Sequence, residues 1–282
     1  MFNIVETDKT TIYAIGDIHG EFKAIGNWIK SNDLRDCALI FCGDFGLGFD
    51  GLQKEHDDLT RAQRACEERN VDCYIIRGNH DNPEYYNNTS KSLNLSRFKP
   101  LSDYTVIKSP EHNILCLGGA VSTDRTYRKQ SYENEITELM TQRHMTYEKA
   151  KSKVKCYWWE DEKFVLDLES IEAINNSEIK INAICSHSAP TEAYPLLNQR
   201  TLYWMNQDDN LEGDMKDERN NFSSVLKLLK DNDHPVTNWY YGHFHEHNTE
   251  TIDGTTFNLL DMGRNGRMNG GIGGNFDMKE IH

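Results

Sequence analysis

The sequence has no cysteine pair at metal-ribbon spacing, no apolar run long enough to cross a membrane, no excess of positive charge and no internal repeat. Each absence removes a class of protein. Cys37, Cys42, Cys66, Cys73, Cys116, Cys156 and Cys185 are scattered without a CxxC motif, which argues against a thiolate zinc ribbon. Several lie inside apolar runs such as CALIFC and ILCLGG, as small buried thiols of a reducing compartment do. Without a membrane-length segment or a secretory leader, a soluble, cytoplasmic protein with no membrane partner is expected. A net charge of -14 disfavours strong non-specific binding to nucleic acid, which needs Lys and Arg against phosphate.

The 282 residues suit one α/β domain, spanning 1–282, with a decorating insertion. In the N-terminal third, short apolar runs alternate with amphipathic stretches, the pattern of βαβ units in a layered fold. TIYAIG reads as a strand and EFKAIGNWIKSN as a helix; CALIFCGD and DCYIIRGN are further strands, with the helix QKEHDDLTRAQRACEERN between them. YTVIK and NILCLGGAV are closely spaced strands that suit antiparallel pairing. A polar insertion follows at about 124–176, largely helical, with helices expected in YENEITELMTQRHMTYEKAKSKV and EDEKFVLDLESIEAINN.

The core resumes with IKINAICSH. A charged stretch around Gln207 to Arg219 reads as a surface loop, followed by the helix FSSVLKLLKDN and the strand VTNWYYGH. NTETI and TTFNLLDM form a hairpin through Asp253-Gly254. The glycine-rich tail at about 263–282 is expected to be loose.

Five segments far apart in the sequence carry metal-seeking side chains where a strand is expected to end: GDIHG, GDFG, GNHD, SHSAP and GHFHEH. Loops at the carboxyl ends of strands can converge, so Asp17, His19, Asp44, Asn79, His80, His187, His243 and His245 read as one binuclear site. Carboxylate, imidazole and amide donors together suit two divalent ions, with Mn first and Fe or Zn as alternatives. A carboxylate can bridge two ions, and Asp44 is the natural bridge. Paired ions activate water and stabilise both oxygens of an in-line phosphoryl displacement, which points to hydrolysis of phosphate esters. The remaining histidines, such as His56, His112 and His234, read as surface or structural residues, and Trp158 and Trp159 as core or lid packing, with stacking on a base or aryl group at the cleft as the alternative.

In their order and content, GDIHG, GDFG, GNHD, the lone histidine after a strand and GHFH resemble the calcineurin-like metallophosphoesterase superfamily. The resemblance runs from Gly16 to about His247. It implies a four-layer α/β/β/α sandwich, two mixed sheets flanked by helices. It also implies Asp17, His19 and His245 around one metal, Asn79, His187 and His243 around the other, and Asp44 shared. A metal-bridging hydroxide would be the nucleophile, and His80 would contact the phosphate and protonate the leaving oxygen. Asp81 would help orient the loop, and Arg77 would support phosphate or structure.

The chain departs from the protein phosphatases of that superfamily in one motif. They continue the second motif as GDxVDRG, whose later Asp partners the histidine and whose Arg binds phosphate; here it reads GDFGLGFDG. The expected substrate is therefore a nucleotide or small phosphoester. A Ser/Thr phosphoprotein phosphatase and a non-catalytic metal-stabilised scaffold are the alternatives. LGGAVSTDRTYRKQSY and CYWWEDE resemble a bacterial and phage subgroup, which would put Arg125, Arg128 and Lys129 near the mouth of the cleft, suited to substrate charge.

Overall fold

The computed structural model describes residues 2–86, 92–195, 199–265 and 274–282. The first half runs β1 (Asn3–Glu6), β2 (Thr11–Ile15), α1 (Phe22–Ser31), β3 (Cys37–Phe41), α2 (Leu52–Arg69), β4 (Asp72–Ile75), β5 (Phe98–Pro100), β6 (Thr105–Lys108) and β7 (Asn113–Leu117). Then come α3 (Arg125–Arg143), α4 (Tyr147–Lys151), α5 (Leu168–Asn175), β8 (Ala183–Ser186), α6 (Gln199–Met205), α7 (Leu211–Lys230) and β9 (Asn238–Tyr241). The chain closes with β10 (Asn248–Ile252), β11 (Thr255–Leu259), β12 (Arg264–Asn265), β13 (Gly274–Asn275) and β14 (Met278–Glu280).

Two mixed sheets form the centre, one in the order β14-β2-β3-β4-β5 and one in the order β1-β6-β7-β8-β9-β11-β10. The two-residue period of a strand explains how they stack. Ile12 and Ala14, Ala38 and Ile40, Ile114 and Cys116, Ala183 and Cys185, and Tyr240 all point into the seam between the sheets. Their alternates, among them Ile15, Leu39, Phe41, Cys73 and Ile75, face α1 and α2. On the other side, Leu115, Leu117, Ile184, Trp239 and Tyr241 meet Ile171 and Ile174 of α5 and Phe222, Val225 and Leu229 of α7. Strands buried on both faces need the unbroken apolar runs seen in the sequence. The result is the expected α/β/β/α sandwich.

Three sequence expectations change. The charged stretch expected as a loop up to Arg219 is, from Leu211 onward, the first half of α7, and Glu218 and Arg219 are buried. The Arg219 guanidinium turns inward and donates to the carbonyls of Pro190, Ala193 and Pro195, so its charge is satisfied below the surface.

The tail is not loose throughout. β14 pairs antiparallel with β2, and Phe276 packs edge-on against Trp28 with ring centroids 5.2 Å apart. Residues 266–273 of that stretch lie outside the described residues.

In the insertion the first helix starts earlier than expected, at Arg125, and closes at His144, which takes a left-handed conformation. Only residues 168–175 of the second expected stretch are helical. All seven cysteines are free thiols, and six of them are buried.

Candidate metal centre

The strands deliver the predicted ligands to one end of the sandwich. Asp17 follows β2, Asp44 follows β3, Asn79 follows β4, His187 follows β8, and His243 and His245 follow β9. Four of the candidates sit at positive φ, His19 at 45°, Asp44 at 45°, His243 at 71° and His245 at 54°. That region costs a non-glycine residue on the order of 1–3 kcal/mol, and it persists only where the surroundings enforce it. Here the Asp44 carbonyl accepts from the His19 amide at 2.8 Å, and the His243 amide donates to both oxygens of Asp17 at 3.1 and 3.2 Å. Gly43 precedes Asp44 at φ 90°, and a Cβ there would lie 2.2 Å from Nδ1 of His187. The glycine is required for the imidazole to reach the site.

Two groups of donors meet at Asp44. In the first, Asp17, His19, Asp44 and His245 present one ligand atom each, all within 4.8 Å of one another. Nε2 of His245 is 3.1 Å from Oδ2 of Asp17 and 3.0 Å from Nε2 of His19. In the second, Oδ1 of Asn79 lies 2.8 Å from Nε2 of His187 and 3.0 Å from Nδ1 of His243. Asp44 turns Oδ2 toward His19 at 3.9 Å and Oδ1 toward His187 at 3.2 Å.

The donor chemistry fits a cation. His187 donates from Nδ1 to the carbonyl of Cys42 at 2.8 Å, which leaves its Nε2 as a lone pair in the neutral ring. That lone pair faces the acceptor oxygens of Asn79 and Asp44, an arrangement that is repulsive unless positive charge lies between them. A carbonyl behind the far ring nitrogen is the usual support of a metal-binding histidine. Charge preferences agree. Burial raises the carboxyl of Asp44, but the neighbouring His187, His80 and His19 outweigh it and hold it well below the usual range. Burial lowers His19, and it lowers His243 to about 3, so both rings are neutral lone-pair donors at neutral pH. Burial disfavours a charged His187 too, yet Asp44 and Asp17 together raise it to about 10, so without a metal its Nε2 holds a proton that a bound cation would displace to leave the lone pair.

Behind Asn79 stand residues that the sequence did not announce. Nδ2 of Asn79 donates to the Ser122 hydroxyl at 2.8 Å, and that hydroxyl donates to Oε2 of Glu162 at 2.7 Å. The relay fixes the amide with Oδ1 toward the ligand cluster. Glu162 is buried, which pushes its carboxyl up to about 8 against the two hydrogen bonds from Ser122 that favour the ionised form.

His80 lines the same cleft, a cavity of about 70 Å³ bordered also by Asp44, Asn79, Arg128, His243 and His245. Its Nδ1 donates to the carbonyl of Tyr157 at 2.8 Å, and burial lowers the ring to about 4. The sequence lacks the aspartate that would partner this histidine, and a main-chain carbonyl from the insertion takes that place. Asp50, the displaced acid of GDFGLGFDG, instead pairs with Lys54 and Lys155.

The remaining predicted residues separate. Asp81 is fully buried and accepts from the amides of Phe45, Gly46, Leu47 and Gly78, so it ties the GDFG loop to the GNHD loop and does not reach the cleft. Of the two roles expected for Arg77, phosphate contact or structural support, its surroundings fit the structural one. Its guanidinium is consumed by the carbonyls of Asp161, Glu162 and Lys163 and by Asp103. Arg125 is likewise held by Asp208 and Asp214 and is not among the residues bordering the cleft. Arg128 does border it, with Nε 2.6 Å from Asp124.

An α/β sandwich with a carboxylate–imidazole metal cluster at the strand ends defines a metal-dependent hydrolase of phosphoric esters. The model of the calcineurin-like phosphoesterases matches residues 10–247, and the chain belongs to that family. No curated protein sequence matches it. Among solved structures it is similar to the phosphopantetheinyl hydrolase of Mycobacterium tuberculosis, at 14% identity over 96% of this chain and 95% of that one, with a TM-score of 0.40. It is also similar to a putative 5'-nucleotidase from Staphylococcus aureus, at 11% identity over 95% of this chain and 52% of that one, TM-score 0.44. GAP50, the anchor in the inner membrane complex of Plasmodium, matches at 13% identity over 97% of this chain and 81% of that one, TM-score 0.38. No helix among the described residues is long and apolar enough to cross a membrane.

Proposed function

We propose that the chain is a two-metal phosphoesterase acting on a nucleotide or other small phosphoester. Asp17, His19 and His245 would hold one ion, and Asn79, His187 and His243 the other, with Mn as the first candidate metal. The observation that carries this reading is the split carboxylate of Asp44, one oxygen toward each group of ligands. When bound, the pair of ions supplies Lewis acidity and lowers the pKa of a shared water.

The chain's own residues do the rest. Asp17, Asp44, Asn79 and the four histidines of the floor would fix the ions' positions, and Ser122 and Glu162 keep the Asn79 oxygen turned toward them. His80 carries its resting proton on Nδ1, held by Tyr157, and its Nε2 on the cleft side accepts from the Asn79 amide at 3.2 Å. An incoming phosphate brings negative charge beside that ring, favours protonation of Nε2, and so makes His80 the donor to the departing oxygen. Arg128 adds a fixed positive charge on the cleft wall.

Metal analysis of protein reconstituted with Mn should return two ions per chain, with hydrolysis of aryl phosphates. Asp44→Asn should lose both the paired binding and at least about a thousandfold in rate, since the ions supply several kcal/mol of transition-state stabilisation. A stoichiometry of one ion, or full activity in Asp44→Asn, would sink the two-metal reading.

A further inference from the structure

A second cavity, of about 130 Å³, opens between α3 and the segment that ends at Trp158. At 10–15 Å³ for each enclosed water it has room for roughly ten, the space of one bicyclic ring with its edge groups. Tyr127, Arg128, Lys129, Glu135, Tyr157 and Trp158 are among the residues lining it. Arg128 borders this cavity and the metal cleft alike. The link to the chemistry is closer still, because Tyr157 is the residue whose carbonyl holds Nδ1 of His80. The Tyr157 ring is itself fixed against Phe49 of the GDFG loop, with centroids 4.7 Å apart.

In an in-line displacement the leaving oxygen departs on the side opposite the attacking water, and His80 is the group placed to protonate it. What hangs from that oxygen therefore extends past His80 toward the Tyr157 segment. The wall it meets there is aromatic, with a cationic rim: the ammonium of Lys129 stands 5.6 Å from the Trp158 ring centroid. The buried indole N–H of Trp158 has no acceptor among the described residues, and Glu135 offers acceptor oxygens on the same lining. Planar faces with unmatched donor and acceptor groups suit a heteroaromatic ring better than a plain phenyl or an alkyl chain.

We propose that this cavity is the leaving-group subsite and that it takes the base of a nucleoside, whose sugar oxygen is then presented to His80. The inference rests on the metallophosphoesterase reading and on the role given there to His80. In the reaction, an oxygen of water forms the new bond to phosphorus, and the bond from phosphorus to the sugar oxygen breaks. The sugar oxygen receives the proton that Nε2 of His80 took up when the phosphate bound, which returns the histidine to its resting state, and the proton lost by the water leaves to solvent.

The test compares AMP with ribose 5-phosphate on the Mn-loaded full chain, since the two share a leaving alkoxide and differ only in the base. The expected kcat/KM favours AMP by roughly five- to a hundredfold, the range that stacking on aromatic side chains covers. Tyr127→Ala, at an exposed side chain, and Trp158→Ala should each erode that preference while leaving ribose 5-phosphate turnover unchanged. Adenosine should inhibit hydrolysis of p-nitrophenyl phosphate and of bis(p-nitrophenyl) phosphate more strongly than ribose does, and it should quench tryptophan fluorescence in the native chain but not in Trp158→Ala.

Equal kcat/KM for the two sugar phosphates would overturn the subsite. So would adenosine acting no better than ribose while the aryl esters are still cleaved. If no ester is cleaved at all, the enzymatic reading has failed, and the fluorescence titration alone decides the cavity: quenching supports it, and its absence sinks it.

Discussion

The floor of the cleft and its cover are held by different physics. On the floor, all seven ligand candidates follow strands of two sheets whose central strands are buried on both faces, and hydrogen bonds between neighbouring loops hold His19, Asp44 and His243 at positive φ. The cover, built from α3, α4 and the segment that follows them, has only a small apolar cluster of its own around Ile136, Ala150 and Val154. It is fastened to the body largely by polar ties, Arg125 to Asp208 and Asp214, Arg77 to three carbonyls, and Lys155 to Asp50. Yet the cover supplies the carbonyl that orients His80 and the carboxylate behind Ser122. A closely bonded floor brings the ligand candidates together, while a polar-tethered cover orients His80 from across the cleft.

That contrast can be broken at its strongest point first. His80→Asn keeps the floor intact and removes the proton donor, so kcat should fall by about 10²–10⁴ while two ions still bind. Comparing leaving groups sharpens the result, because the loss should be larger for an alkyl ester than for p-nitrophenyl phosphate. An equal loss for both would move His80 from proton transfer to simple phosphate binding.

A smaller effect lies at the seam between floor and cover. Ser122→Ala releases the Asn79 amide, and metal affinity should fall about 10–100-fold, the usual range for a group that orients a ligand. Titration against a chelator reads the affinity, and saturating Mn should restore most of the rate. Unchanged affinity would show that the floor holds Asn79 unaided.

The smallest change belongs to the tether. The hydrogen bond from Arg125 lowers Asp208 from 3.8 to about 2, so the folded state binds this proton less readily than the unfolded chain. The stabilisation is therefore complete above about pH 4 and is lost as pH falls through about 2. Both groups reach solvent, which limits the contribution to about 1 kcal/mol or less. Asp208→Asn should lower Tm slightly at pH 7, and the gap to the native chain should narrow at pH 3. A gap that widened in acid would reverse the assignment.

Much of this molecule is written in local pattern. Apolar runs gave β2, β3, β4, β7, β8 and β9, and Asp253-Gly254 turned β10 into β11 with φ of 46° and 77°. The ligand residues were legible because each follows such a run, most of them in a segment that carries a glycine, though His187 in SHSAP has none. Other features leave no local signature. The partner of His80 is a main-chain carbonyl, which any residue carries, so no residue type marks Tyr157 for the role. The start of α7 was hidden because charge composition describes the exposed face of a helix as well as it describes a loop, and the inward turn of Arg219 depends on carbonyls from another segment. Phe276 and β14 lie beyond a glycine-rich stretch whose composition masked a strand that only β2 could recruit.

The sequence by itself marked the candidate donors, the order in which they are delivered and the reaction class, because ligand chemistry and strand periodicity are properties of residues and their neighbours. Tertiary structure alone decided which oxygen of Asp44 faces which group, what holds His80 and Asn79 in register, and that Arg77 and Arg125 fasten the cover instead of facing the cleft. Those outcomes depend on distances between segments far apart in the chain, and no local pattern encodes a distance.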